Sequence, residues 1–71
     1  MKLHYYPETD SLYIDLVDRP GVDSKEMAEG VVVDLDREGN IVGIDIDRAS
    51  VRLDLATLET VALPVLRTRS A

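Results

Sequence analysis

The residues of this chain that could do chemistry are few. Its single histidine, His4, lies in an alternating stretch that pairs as a hairpin with the segment carrying Tyr13 and Asp15. A carboxylate that orients an imidazole is a common acid–base arrangement. Such a relay needs a nucleophile or a second base, and the sequence offers neither. There is no cysteine, and Ser11, Ser24, Ser50 and Ser70 stand in turn or terminal settings without a nucleophile-elbow pattern. A lone histidine cannot supply a zinc-binding pair. No catalytic residue is assigned, and the expectation is a protein without enzymatic activity of its own.

The sharpest motif is the acidic run Asp34-Leu-Asp36-Arg-Glu38-Gly39-Asn40-Ile41-Val-Gly-Ile-Asp45. It meets the calcium-loop template at the first, third, fifth, sixth and twelfth positions, where oxygen ligands alternate around a glycine turn. Three features oppose a calcium loop. The fifth position is Glu, the twelfth is the short Asp45, and the flanks alternate with period two where an EF-hand needs helices. The run is better read as a hairpin whose Gly39 takes a positive φ. No metal ligand or cofactor-binding residue is assigned, and a weak cation- or small-ligand-binding hairpin from Asp34 to Asp45 is the alternative function.

These residues must be positioned by strands. Lys2 to Tyr6 and Ser11 to Leu16 alternate around the turn residues Pro7 to Asp10. A four-residue loop pairs Tyr6 with Ser11, Tyr5 with Leu12, His4 with Tyr13, Leu3 with Ile14 and Lys2 with Asp15. Leu3, Tyr5, Leu12 and Ile14 then share one face. After a turn-rich link from Asp18 to Gly21, Val22 to Ala28 reads as a charged edge strand. Val31 to Asp36 and Ile41 to Asp47 form a second hairpin, with Leu35 opposite Val42, Val33 opposite Ile44 and Val31 opposite Ile46. Asp54 is a plausible N-cap for a helix near residues 54–62, with Leu55, Leu58 and Val61 or Ala62 at helical spacing and Pro64 as its end. The expected fold is α+β and mainly β: an antiparallel meander of about five strands with one short C-terminal helix. The domain is expected to span residues 1–63, with residues 64–71 as a flexible tail.

Seventy-one residues suffice for one sheet with a thin covering layer. Without disulfides, stability is expected to draw on self-association. A formal net charge of −6 argues against a nucleic-acid partner, which would require a basic patch. It favours instead steering toward basic proteins. Met1-Lys2 leads straight into the alternating pattern with no long apolar run, so neither secretion nor membrane insertion is expected. The cytoplasm is the expected compartment.

The registers leave a second, mixed face. His4, Tyr6, Tyr13, Val32 and Ile41 lie on it, rimmed by Asp15, Asp34 and Asp45. Half-apolar surface of this kind suggests a partner. The eight residues form the expected interaction surface, serving a homodimer or a small basic protein.

The segments Tyr5-Tyr6-Pro7-Glu8-Thr9-Asp10-Ser11-Leu12-Tyr13-Ile14 and Gly30 to Ser50 resemble the two hallmark segments of the prokaryotic family catalogued as the domain of unknown function numbered 2283. The matching residues are Tyr5, Glu8, Asp10, Leu12, Tyr13, Ile14, Gly30, Val31, Asp34, Asp36, Gly39, Gly43, Ile44, Ile46, Ala49 and Ser50. Tyr6 stands where that pattern commonly has Asp, and Asp45 where it commonly has Glu. The resemblance implies a small, mainly antiparallel sheet with a short helix, and it brings no catalytic residues. It also implies, through relatives encoded beside small ribonuclease-like toxin domains, an antitoxin-like neutralising role.

Overall fold

Stretches rich in Val, Ile, Leu and Tyr alternate with polar residues and become strands. The computed structural model describes residues 1–70, with β1 (Lys2–Tyr6), β2 (Ser11–Asp15), β3 (Asp23–Ala28), β4 (Val31–Leu35), β5 (Ile41–Ile46) and α1 (Ala49–Arg52). All five strands join one antiparallel sheet in the order β1-β2-β5-β4-β3. The order is meander-like: β3, β4 and β5 follow one another, and β5 then lies beside the β1-β2 hairpin. Residues 16–22 therefore have to travel from β2 to the far edge at β3. They start with the Leu16 amide on the Val42 carbonyl at 2.9 Å and finish with the Val22 amide on the Leu35 carbonyl at 2.9 Å. Between these ends the link runs close over Asp34, so that a side chain at Gly21 would come within 3.2 Å of Asp34 Cβ.

The first hairpin has the expected register at all five pairs, from Lys2 opposite Asp15 to Tyr6 opposite Ser11. In the second hairpin Val31 faces Ile46 and Val33 faces Ile44 as expected, but Leu35 faces Ile41 and not Val42. The difference comes from the turn. The Gly39 amide bonds to the Asp36 carbonyl at 3.1 Å and the Asp36 amide to the Asn40 carbonyl at 2.9 Å. With Gly39 at φ 87°, this is a three-residue loop closed by a glycine bulge, which sets Leu35 opposite Ile41. A second bulge follows at Val42, which is left without a partner between Ile41 and Gly43 and is buried; it restores the expected register from Asp34 onward.

The helix expected at 54–62 lies elsewhere. Its place is taken by the single turn Ala49–Arg52, entered through Arg48 at φ 53° and ended by extended Leu53. The Asp54 carboxylate does accept an amide, that of Ala56 at 3.1 Å, but the chain does not continue into a helix. Nucleation costs more than one capped turn returns, and Thr57, Thr60 and Val61 are weak helix formers.

Register places Leu3, Tyr5, Leu12, Ile14, Ile44, Ile46, Val31, Val33 and Leu35 on one face. Leu12, Val33, Val42 and Ala49 are the buried apolar residues. The accessible surface is 6013 Å², whereas a compact monomer of this size exposes about 4,400 Å². Likewise the radius of gyration, 13.0 Å, exceeds the value of about 11 Å expected for the length. Among the described residues no helix is long and apolar enough to cross a membrane.

Candidate functional surface

On the mixed face, cross-strand pairing sets Tyr13 beside His4 on one side and Asp45 on the other, with Val32 beyond Asp45. In the neighbouring row Asp15 and Asp34 flank Gly43. The absence of a side chain at Gly43 matters here, because a Cβ at that position would collide with the Tyr13 hydroxyl and ring. Tyr13 thereby crosses β5 and donates its hydroxyl to Asp34 Oδ2 at 2.7 Å. That bond, assisted by burial, pushes the Tyr13 phenol up to about 12. A group so far from neutrality is poorly matched to acid–base work at physiological pH.

Asp45 is in a different condition. Its Oδ1 is enclosed and has no hydrogen-bond partner. Burial first, then the charges of Asp47 and Asp34, raise its pKa. This is the expected response of a carboxylate that loses water without gaining a donor or a cation.

His4 is exposed, and its ring stacks on Tyr6 at 4.2 Å with an interplanar angle of 25°. Tyr6, at the sheet edge, is exposed, whereas Tyr13, Asp15, Val32, Asp34 and Asp45 are half-buried. Ile41 is exposed as well. Its expected place on this face depended on unbroken alternation back from Gly43, and the extra residue Val42 breaks that alternation, leaving Ile41 opposite Leu35.

The calcium-like carboxylates point to other tasks. Asp36 is buried and accepts the amides of Glu38 at 3.0 Å and Asn40 at 2.8 Å and the Asn40 side-chain amide at 3.3 Å. The Asn40 amide first, then the Asn40 and Glu38 donors and nearby Arg19, hold its carboxyl below the usual range. Asp36 therefore closes its own hairpin, while Asp34 is engaged by Tyr13.

A cluster that the sequence reading did not assemble sits at the opposite end of the sheet. Asp10, in the β1-β2 turn at φ 53°, receives the Ser50 hydroxyl at 2.6 Å, the Ser50 amide at 3.0 Å and the Tyr5 hydroxyl at 2.8 Å. Its carbonyl accepts the Ala49 amide at 2.8 Å. The bonds from Ser50 and Tyr5 lower the pKa of its carboxyl. The cluster anchors α1 to the first hairpin. Its only sequence signal was that Tyr5, Asp10, Ala49 and Ser50 all belong to the hallmark segments.

Two searches found no match: neither the curated proteins nor the solved structures contain a significant relative of this chain. A family model described as protein of unknown function (DUF2283) does match, over residues 2–50. That span holds β1 to β5 together with Ala49 and Ser50 of the anchor, and the chain therefore belongs to the DUF2283 family.

Proposed function

We propose that this chain is a protein-binding module without catalytic activity, which receives a basic polypeptide on its mixed face. The observation that carries this reading is Asp45, whose enclosed Oδ1 lacks a donor beside the bonded pair Tyr13 and Asp34. A cationic side chain from a partner, reaching the exposed side of this half-buried carboxylate, would supply the compensating charge that Asp45 lacks, and such charge-assisted bonds are among the stronger contacts available. Tyr13, Tyr6 and Val32 provide aromatic and aliphatic area around it. The net charge of −6 steers basic partners toward the surface and discourages acidic ones. An antitoxin-like role, neutralising a small basic protein, is the specific form of this reading.

The competing cation-site reading is weaker, because Asp34 and Asp36 already serve Tyr13 and the hairpin turn. The test is capture of partners by the tagged chain in its own host, followed by calorimetry with the purified pair. The expected partner is basic, binds less tightly as salt rises, and loses more than about tenfold in affinity when Asp45 becomes Asn. Binding that ignores both salt and Asp45→Asn, or no protein partner at all, would overturn the proposal.

A further inference from the structure

We propose that two copies of this chain form a two-fold dimer by exchanging C-terminal arms, residues 53–66 of each copy lying across the apolar sheet face of the other. The inference does not depend on the basic-partner reading, since it uses the opposite face of the sheet.

The arm is the first half of the case. Its sequence is rich in Leu and Val, a composition that does not stay solvated by choice. Yet beyond half-buried Leu53 its large apolar side chains are all exposed, from 42% at Leu55 and 45% at Leu63 through 77% at Leu58 and 81% at Val61 to complete exposure at Leu66. Its backbone is irregular beyond Leu53. The arm's start is fixed, however, because the anchor of Ala49 and Ser50 on Asp10 holds α1 against the first hairpin.

The sheet is the second half. Its main packing is sideways, strand against strand, and among the described residues no helix layer covers the apolar face. Leu12 and Val33 are buried at its centre, but Ile14, Ile44 and Ile46 are only half-buried, and Leu3 and Tyr5, at the β1 edge, are exposed.

Area decides what covers it. The chain exposes about 1,600 Å² more than a compact monomer would. A standard interface needs only about 800 Å² from each partner, and obligate homodimers bury more. The excess is thus of the size that an obligate dimer removes. A second copy supplies both missing parts at once, an arm for each face and a face for each arm, and two-fold symmetry closes the assembly.

The test uses the full chain in sedimentation equilibrium and light scattering at micromolar concentration. The parent is expected to be a dimer. Leu58→Lys with Val61→Lys, at positions exposed within the single chain, should give monomers that keep the β circular-dichroism signal. Tyr6→Lys, on the mixed face, should leave the dimer intact. Mixing a Leu58→Cys chain with an Ile14→Cys chain of different mass should yield the mixed disulfide. A monomeric parent, a dimer indifferent to the two lysines, or dissociation by Tyr6→Lys would overturn the proposal. So would a double-cysteine chain that closes its bridge only within one copy, since the arm would then lie on its own sheet.

Discussion

Tyr13 and Asp34, on strands that are not neighbours, meet across the intervening strand β5 with 2.7 Å between the hydroxyl and Oδ2. The bond exists because Gly43 leaves the space over β5 empty. Three hallmark residues on three strands thus form one structural unit.

The phenol gives this unit a direct readout. Tyr13 is pushed up to about 12, chiefly by the hydrogen bond to Asp34. Its folded pKa lies above its unfolded one, so the bond's contribution to stability is complete below the ordinary tyrosine value of 10.0 and is lost as pH rises toward 12. In a phenolate absorbance titration Tyr13→Phe should remove the most alkaline step, and Asp34→Asn should move that step toward neutrality. An unchanged step in Asp34→Asn would refute the assignment.

Gly43→Ala should be costly for a steric reason alone. The added methyl would overlap the Tyr13 hydroxyl and ring, and overpacking of this kind costs about 1–3 kcal/mol. Pairing it with Tyr13→Phe should recover only part of the loss, because the ring carbons as well as the hydroxyl approach the methyl site. Denaturant melts of the two single variants and the double variant measure this coupling.

The first hairpin was legible to the residue because a one-step slip would have scrambled Leu3, Tyr5, Leu12 and Ile14 between faces. The second was legible except at its turn. The shorter loop and the compensating bulge at Val42 cancel from Asp34 onward, so alternation could not reveal them, and together they altered the place of Val42 and Ile41. The helix was misplaced because the helical spacing of Leu55, Leu58 and Val61 has no packed face behind it, all three being exposed, while Ala49 and Ser50 are helical through a long-range anchor on Asp10. Of the mixed face, the row of His4, Tyr13, Asp45 and Val32 followed from register alone. That Tyr13 would lie flat over Gly43 did not, since local pattern says nothing of side-chain direction across strands.

The carboxylates of Asp10 and Asp36 are both lowered by hydrogen bonds, so they stabilise the fold above the ordinary carboxylate value of 3.8 and cease to do so as pH falls through their lower folded values. Asp10→Asn should melt earlier than the parent at neutral pH and free α1 from the first hairpin. The gap should narrow on acidification below 3.8. Hydrogen exchange at the Ala49 and Ser50 amides is the measurement that separates loss of the anchor from general destabilisation.

Asp36→Ala addresses the hairpin and its resemblance to a calcium loop together. Removing the acceptor of the Glu38 and Asn40 amides should destabilise the turn whether or not calcium is present. Calorimetry of the parent should show no micromolar calcium affinity. A calcium-dependent rise in Tm that Asp36→Ala abolishes would restore the cation reading.

Asp45 should behave oppositely to Asp10, although both are aspartates of one small domain. Its pKa is raised, first by burial and then by Asp47 and Asp34. The folded state therefore tolerates the ionised form poorly, and the favourable contribution is present below 3.8 and lost as pH rises through the raised folded value. Asp45→Asn removes the charge while keeping the shape, and the new amide can donate to neighbouring carboxylates. The variant should therefore equal or exceed the parent in stability near neutral pH, with the advantage vanishing on acidification. The same substitution should weaken capture of a basic partner, because the side chain would no longer carry a charge to attract it. Gain of stability with loss of binding is the pattern of a residue kept for its contact, and loss of both would show that Asp45 serves only the sheet.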